Sequence, residues 1–560
     1  MTGCKGIPVI SGIPLFIYET LFMKRRSILK NLAMLPFAGA LIPKSVLAGT
    51  PSSPQIAGIP DAAESFRAIG VEPIINCRGT FTIIGGSLER PEVRAAMEAA
   101  SQNFVQYDEL ADAIGKRLGE LTGAEYGMVS SGCAAGMKHV TAACVTGGNP
   151  EKLIRIPDLR GFTKTEVIIP KSSRNTYDHA IRNIGVTIIE VENAEELENA
   201  ISERTALIYI MAYKDSQPGQ PLSTENIVKI AKPHKVPVLV DAAAEVLTIP
   251  NVHLQHGADV VVYSGGKAIC GPQCAGLVIG RKDILMSAWQ ASSPHHGPCR
   301  DNKVGREEMM GMLAAVETWT KRDHAGEWKT WLSYLDVISK KVSTIKGISA
   351  EVFEPTELSN KSPVLRINWD PAVFNITAEE VAEELGRNKP RVAIGGQTTD
   401  GKSTVSITTG QMQPGNDRVV ADRLFGVLSQ KRTAKDTSMA KPAANLSGTW
   451  DATIDFFSSS SVHQLFIEQE ENWIKGSHKG DFSTREIAGT IEGDAVKLQS
   501  VDRHPADSIT FIFSGKISGD TISGSIYMGE YRTATFTAKR SSFKMKKRKI
   551  TVPGGPPLAT

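Results

Sequence analysis

Cysteine is scarce in this chain, seven residues in 560, and so sparse a set does not make a disulfide framework. Charge of one sign is also nearly absent. The net +3 over the whole length excludes the broad basic surface a nucleic-acid partner needs. Much of that excess sits in one run, KMKKRK at 544–549, which reads as a solvated tail. Long apolar runs are missing too. The longest apolar segment near the start, Leu32 to Ile42, is roughly a dozen residues and too short to cross a bilayer. What remains is ordinary globular composition, 41% hydrophobic and 22% charged, over a length that implies two or three domains.

The amino end reads as a targeting segment over residues 1–49. From Met23, the cluster Lys24-Arg25-Arg26 precedes the apolar stretch, and Val46-Leu47-Ala48 supplies a small-residue cleavage pattern. Paired arginines before Ser-Ile-Leu-Lys are similar to a twin-arginine signal, which exports proteins already folded. The expectation is a periplasmic protein in a bacterium, with no stable membrane span; residues 1–22 precede the natural signal start.

The stretch from Val236 to Lys282 carries the chemistry. Two short valine-rich runs, 236–240 and 260–263, suit strands buried on both faces of an open sheet. The first ends on Asp241; the second leads into Ser264-Gly265-Gly266-Lys267. An acid and a lysine at the carboxyl rim of adjacent strands lie where α/β sheets bind ligands. Pyridoxal phosphate requires that pair: an amine to hold its aldehyde and a carboxylate to partner its ring nitrogen. Upstream, Met128-Val129-Ser130-Ser131-Gly132-Cys133 ends a strand, turns, and starts a helix, whose free N–H groups form a phosphate cradle. Ser131, Gly132 and Cys133 are the expected phosphate ligands, with a hydroxyl added by Ser264.

The residues Asp241, Ser264–Lys267 and Gly271-Pro272-Gln273 resemble fold-type-I pyridoxal-phosphate enzymes. The resembling branch contains selenocysteine synthase and D-glucosaminate-6-phosphate ammonia lyase, with an aminotransferase class V-like fold. The resemblance spans about residues 61–430. It implies Lys267 and Asp241 as catalytic residues and Gln273 and Tyr177 beside the cofactor. The segment Arg174-Asn175-Thr176-Tyr177-Asp178 is similar to one in the lyase-like relatives, but this chain has Ser173 where they carry His, which leaves the ring-stacking residue open. Arg78, in the Asn76-x-x-Gly79-Thr80 segment at the expected site mouth, competes with Arg174, Arg366 and Arg391 for a substrate carboxylate. Glu245, four residues past Asp241, is a candidate second proton carrier. No metal is expected: Cys270, Cys274, His295, His296 and Cys299 lack the paired spacings of a zinc site.

The expected organisation is a large cofactor-binding α/β domain at 61–300, a mixed or parallel sheet that includes an N-terminal segment of the small domain. A connector helix and α+β small domain follow at 301–430, then a polar linker at 431–445. Residues 446–540 alternate in short strands with Gly/Asp turns, the pattern of a lipocalin-like antiparallel barrel or sandwich, before a basic, Pro/Gly-containing tail at 541–560. The first functional reading is a lyase that removes an α-proton from an amino acid or amino sugar acid and eliminates or replaces at Cβ. L-seryl-tRNA(Sec) selenium transferase-type activity and aminotransferase activity are the alternatives within the family. A non-catalytic, exported binding protein is the alternative outside it. The resemblance also implies a small-molecule amino substrate and a homodimer or higher homo-oligomer.

Overall fold

In the computed structural model, residues 62–504 and 506–542 are described; the signal-like segment and the tail from 543 onward lie outside them. The valine-rich runs become the centre of a seven-stranded sheet. Its order is Tyr126–Ser130, Gly276–Gly280, Val260–Ser264, Val238–Asp241, Thr205–Met211, Glu166–Pro170, Thr187–Val191. Six strands run in one direction, while Gly276–Gly280 is antiparallel to both neighbours, so the sheet is mixed.

Alternate residues of each strand enter two separate cores. Ile208, Ile210, Val240 and Tyr263 face one, and Leu207, Tyr209, Leu239 and Val262 the other. Burial on both faces is why these strands read as unbroken apolar runs rather than alternating ones. The helix Cys133–Thr146 covers the second face with twelve of its fourteen residues buried, Lys138, His139, Thr141 and Thr146 among them.

The helices Arg306–Trp319 and His324–Val342 follow the large sheet. The small domain is a four-stranded antiparallel sheet ordered Gly395–Thr399, Lys402–Thr408, Val364–Trp369, Ser349–Phe353. The two central strands bury Leu365, Ile367, Val405 and Ile407. Both outer strands are exposed on much of their length, which deprives them of an apolar signature. A separate parallel pair joins Ile74–Asn76 to Arg391–Ala393, tying the start of the catalytic region to the small domain.

Residues 448–540 close into an eight-stranded antiparallel barrel, Gly448–Asp455 pairing with Thr533–Arg540. Closure removes the free edges that the alternating strands would otherwise present. Trp450, Leu465, Phe513 and Phe536 fill the interior. Gly476 sits where a Cβ would lie 1.8 Å from the Phe466 carbonyl oxygen, so only glycine allows the strands to approach there. Among the described residues, no helix is long and apolar enough to cross a membrane.

Near one end of the barrel, His463 Nδ1 meets His478 Nε2 at 2.7 Å, and His478 Nδ1 meets Ser500 Oγ at 2.8 Å. Burial, reinforced by the Arg485 charge, pushes His478 from the usual 6.5 down to about 3. Between those limits the unfolded chain binds a proton that the folded barrel refuses, so stability falls as the pH falls. Acid should therefore destabilise the barrel progressively from about pH 6.5 toward about pH 3. Denaturant titrations across that range should show the slope shrinking in His478→Asn; an unchanged slope would assign the acid sensitivity elsewhere.

Candidate active site

Asp241 ends its strand with its carboxylate buried. Three neutral donors hold it. The Tyr209 hydroxyl donates to Oδ2 at 2.9 Å, the Cys133 thiol to Oδ1 at 3.3 Å, and the Ala243 N–H to Oδ1 at 3.0 Å. Among the described residues, no lysine or arginine forms an ion pair with Asp241. A buried carboxylate without a cation is costly, and it leaves Oδ2 with an acceptor site for one more, charged donor.

The neighbours are tuned to remain donors. Burial and the Asp241 charge push the Cys133 thiol well above the usual value, while the Lys267 ammonium partly offsets that rise. Burial and the same carboxylate drive the Tyr209 phenol up as well. Lys267 therefore shares the electrostatic neighbourhood of Cys133 and Asp241. Behind them, Asn175 Nδ2 donates to the Tyr209 oxygen at 2.8 Å, extending the network into the 174–178 segment. Tyr209 was not singled out from sequence. A tyrosine inside the apolar strand TALIYIM needs a partner for its hydroxyl, and that need was the available signal.

Lys267 rides on a loop fixed at several points. Gly265 N–H donates to Ala275 O at 2.8 Å, Gly271 N–H to Gly265 O at 2.8 Å, and Ser87 N–H to Gly266 O at 3.1 Å. Gln273 Nε2 donates to Ser87 O at 2.9 Å and to Gly266 O at 3.2 Å. Gln273 thus fastens the lysine loop to the 85–87 turn and is itself exposed. A Cβ on Gly265 would lie 2.6 Å from Ala275 O, which explains a glycine ahead of the lysine.

The cradle lies at the start of the Cys133 helix. Gly132, at φ +95°, caps it without a side chain, so the first-turn N–H groups face no side-chain acceptor. Ser130 Oγ donates to Gly132 O at 2.8 Å. Gly276 allows the close approach that sets the cradle against the sheet, since its Cβ would stand 2.5 Å from the Gly132 carbonyl carbon. No heavy atom lies within 4 Å of a Cβ built on Gly132, so the space there is open. Ser131 and Ser264 are both partly exposed, at the cradle turn and at the end of the strand preceding Lys267. An uncompensated buried carboxylate, a nearby lysine and an open helix-start cradle fit pyridoxal phosphate.

The expected substrate residues are distributed differently. Arg174 pairs with Asp178 at 2.6 Å and with Glu190, leaving only 9% of its side chain exposed. Arg391 donates to the backbone oxygens of Gly386 and Glu72, and Arg366 lies over the Phe353 ring in the small domain. Arg78, over the Phe81 ring, lines a cavity of about 480 Å³ at the seam of the two α/β domains. Ala268, Arg322 and Thr408 line the same cavity, and the buried Thr408 hydroxyl has no partner among the described residues. Glu245 is buried against His253 Nε2 at 2.7 Å, apart from the Asp241 network. Tyr177 turns outward, 57% exposed. Among the described residues, no group of three or more His, Cys, Asp or Glu side chains is placed to share a metal ion.

Residues 172–297 match the aminotransferase class-V family model. D-glucosaminate-6-phosphate ammonia lyase of Salmonella typhimurium is 31% identical over 330 residues, 57% of this chain and 86% of that protein. A 5'-C-glycyluridine monooxygenase-decarboxylase of Streptomyces sp is 30% identical over 340 residues, covering 59% and 83%. A solved D-glucosaminate-6-phosphate ammonia-lyase superposes with a TM-score of 0.57 at 26% identity, over 65% of this chain and 98% of that one.

Tyr209→Phe removes one hydrogen bond to a buried carboxylate, an interaction of about 1.5–3 kcal/mol. Absorbance titration with pyridoxal phosphate should show affinity falling by about ten-fold or more, a loss that unchanged affinity would contradict.

Proposed function

The chain belongs to the pyridoxal-phosphate-dependent family of D-glucosaminate-6-phosphate ammonia lyase, and we propose that it is a lyase acting on an amino acid or amino sugar acid. The observation that carries this reading is Asp241, a buried carboxylate with three neutral donors and, among the described residues, no ion-pair partner, at the end of the strand beside the one that leads to Lys267. That arrangement has little structural value by itself and a clear chemical one.

Bound pyridoxal phosphate supplies an electron sink for the substrate Cα. In the proposed site, the backbone N–H groups of Gly132 and Cys133 would bind the phosphate, joined by the Ser131 and Ser264 hydroxyls. Asp241 would accept a hydrogen bond from the protonated ring nitrogen and so favour its charged form; Tyr209 and Cys133 hold that carboxylate in place. Lys267 would hold the aldehyde, and its amine is the base available for the substrate's α-proton. Arg78 binds the substrate carboxylate, because it is the candidate arginine that lines the seam cavity. Elimination at Cβ follows where the substrate carries a leaving group there. The reading also includes a homo-oligomer.

Screening amino acids and amino sugar acids for ammonia and keto-acid release, with α-proton exchange followed by NMR, tests the proposal. Wild-type enzyme should release both products from at least one substrate, while Lys267→Ala should lose at least about a thousand-fold in rate and still fold. Turnover by Lys267→Ala at the wild-type rate would end the assignment. We also propose export through the Lys24-Arg25-Arg26 segment. A reporter fused behind residues 23–49 should reach the periplasm, and Arg25→Lys with Arg26→Lys should block it; arrival of the double variant at wild-type levels would refute the twin-arginine route.

A further inference from the structure

The barrel lies beyond the part of the chain that resembles the family, and the structure gives it one point of attachment with chemical consequence. Asp507 accepts from Arg182 Nη2 at 3.2 Å, joining the barrel to the helix His179–Arg182. Arg182 Nε donates to Asp178 Oδ1 at 2.9 Å. Asp178 is fully buried, and its other oxygen accepts from Arg174 Nε at 2.6 Å and from the Asn175 N–H at 3.4 Å. Asn175 Nδ2 then donates to the Tyr209 oxygen, and Tyr209 to Asp241, at 2.8 and 2.9 Å. An unbroken polar chain thus runs from the barrel to the acid that partners the cofactor ring.

The chain has a defined mechanical logic. Asp178 is a buried charge that must keep its donors. Arg174 is bound on both sides, by Asp178 and by Glu190, and cannot turn away. Arg182 is 32% exposed, and water competes for it. Asp507 is the group that holds Arg182 in register with Asp178 from the solvent side. The segment they fix, residues 174–178, is the one that presents Asn175 to Tyr209. The linker is pinned at its other end to the small domain, Asn375 Nδ2 donating to Arg432 O at 3.1 Å and Lys435 pairing with Glu380. The linker is thus fastened to the small domain, while the Arg182–Asp507 pair fastens the barrel to the large one.

We propose that the barrel braces the cofactor site, with Asp507 and Arg182 acting as positioning residues for Asp241 through Asp178, Asn175 and Tyr209. This rests on the reading of Asp241 as the partner of the cofactor ring.

The test uses full-length protein and pyridoxal phosphate as the probe. Its readouts are the dissociation constant and the induced circular dichroism of the bound cofactor's visible band, which reports ring orientation. Asp507→Ala should raise the dissociation constant roughly five-fold, the factor that corresponds to about 1 kcal/mol for a part-exposed ion pair, and should weaken the dichroism. Arg182→Ala should do at least as much, and the double variant no more than Arg182→Ala alone. Asp507→Glu should restore most of the loss. Asp520→Ala, which removes a barrel ion pair with Arg540 that has no link to the network, should leave both readouts at wild-type values. The proposal fails if Asp507→Ala matches wild type in both readouts, or if Asp520→Ala reproduces its effect. A wild-type protein that takes up no pyridoxal phosphate would overturn the cofactor reading itself, a distinct result.

Discussion

A single buried negative charge organises the catalytic half of this molecule. Asp241 is removed from water and given only a hydroxyl, a thiol and one backbone N–H. Folding alone would favour an apolar residue or an ion pair at such a position. The surrounding sequence preserves the charge instead. Tyr209 and Cys133 sit in the same core and both are pushed toward their neutral, donating forms. The glycines at 132, 265 and 276 bring the cradle and the lysine loop to the rim of the same sheet.

The two α/β domains contribute differently. The large sheet supplies rigidity, because its strands are covered on both faces and cannot shift register without disturbing two cores. The small domain and the 78–81 segment supply the wall facing the seam cavity, where Arg78 and the unpartnered Thr408 hydroxyl lie. Differences in substrate among relatives are expected to reside in that wall, since sites rather than folds carry specificity.

Sequence made the large sheet and the lysine–acid pair legible for a physical reason. A strand buried on both faces is a continuous apolar run, and a charged residue at its end stands out against it. The barrel was legible through its regular turns. The outer strands of the small domain were not, because half-exposed strands carry no pattern that separates them from loops. Among the arginines, sequence could not separate Arg78 from Arg174 and Arg391. All three are guanidinium groups in polar segments, and only tertiary placement shows that Arg174 and Arg391 already have acceptors. Glu245 was ambiguous for the same reason, its partner His253 being identified by contact rather than spacing.

The parallel pair between Ile74–Asn76 and Arg391–Ala393 has a consequence for biogenesis. All seven strands of the large sheet lie between these two segments in the chain. As the polypeptide leaves the ribosome, the early strand must stay unpaired until its distant mate has been made. The large domain can condense first, and the small domain closes late around a segment synthesised long before. The Arg78 wall therefore cannot be completed until residues 391–393 have been made, after every strand that carries the lysine and the acid.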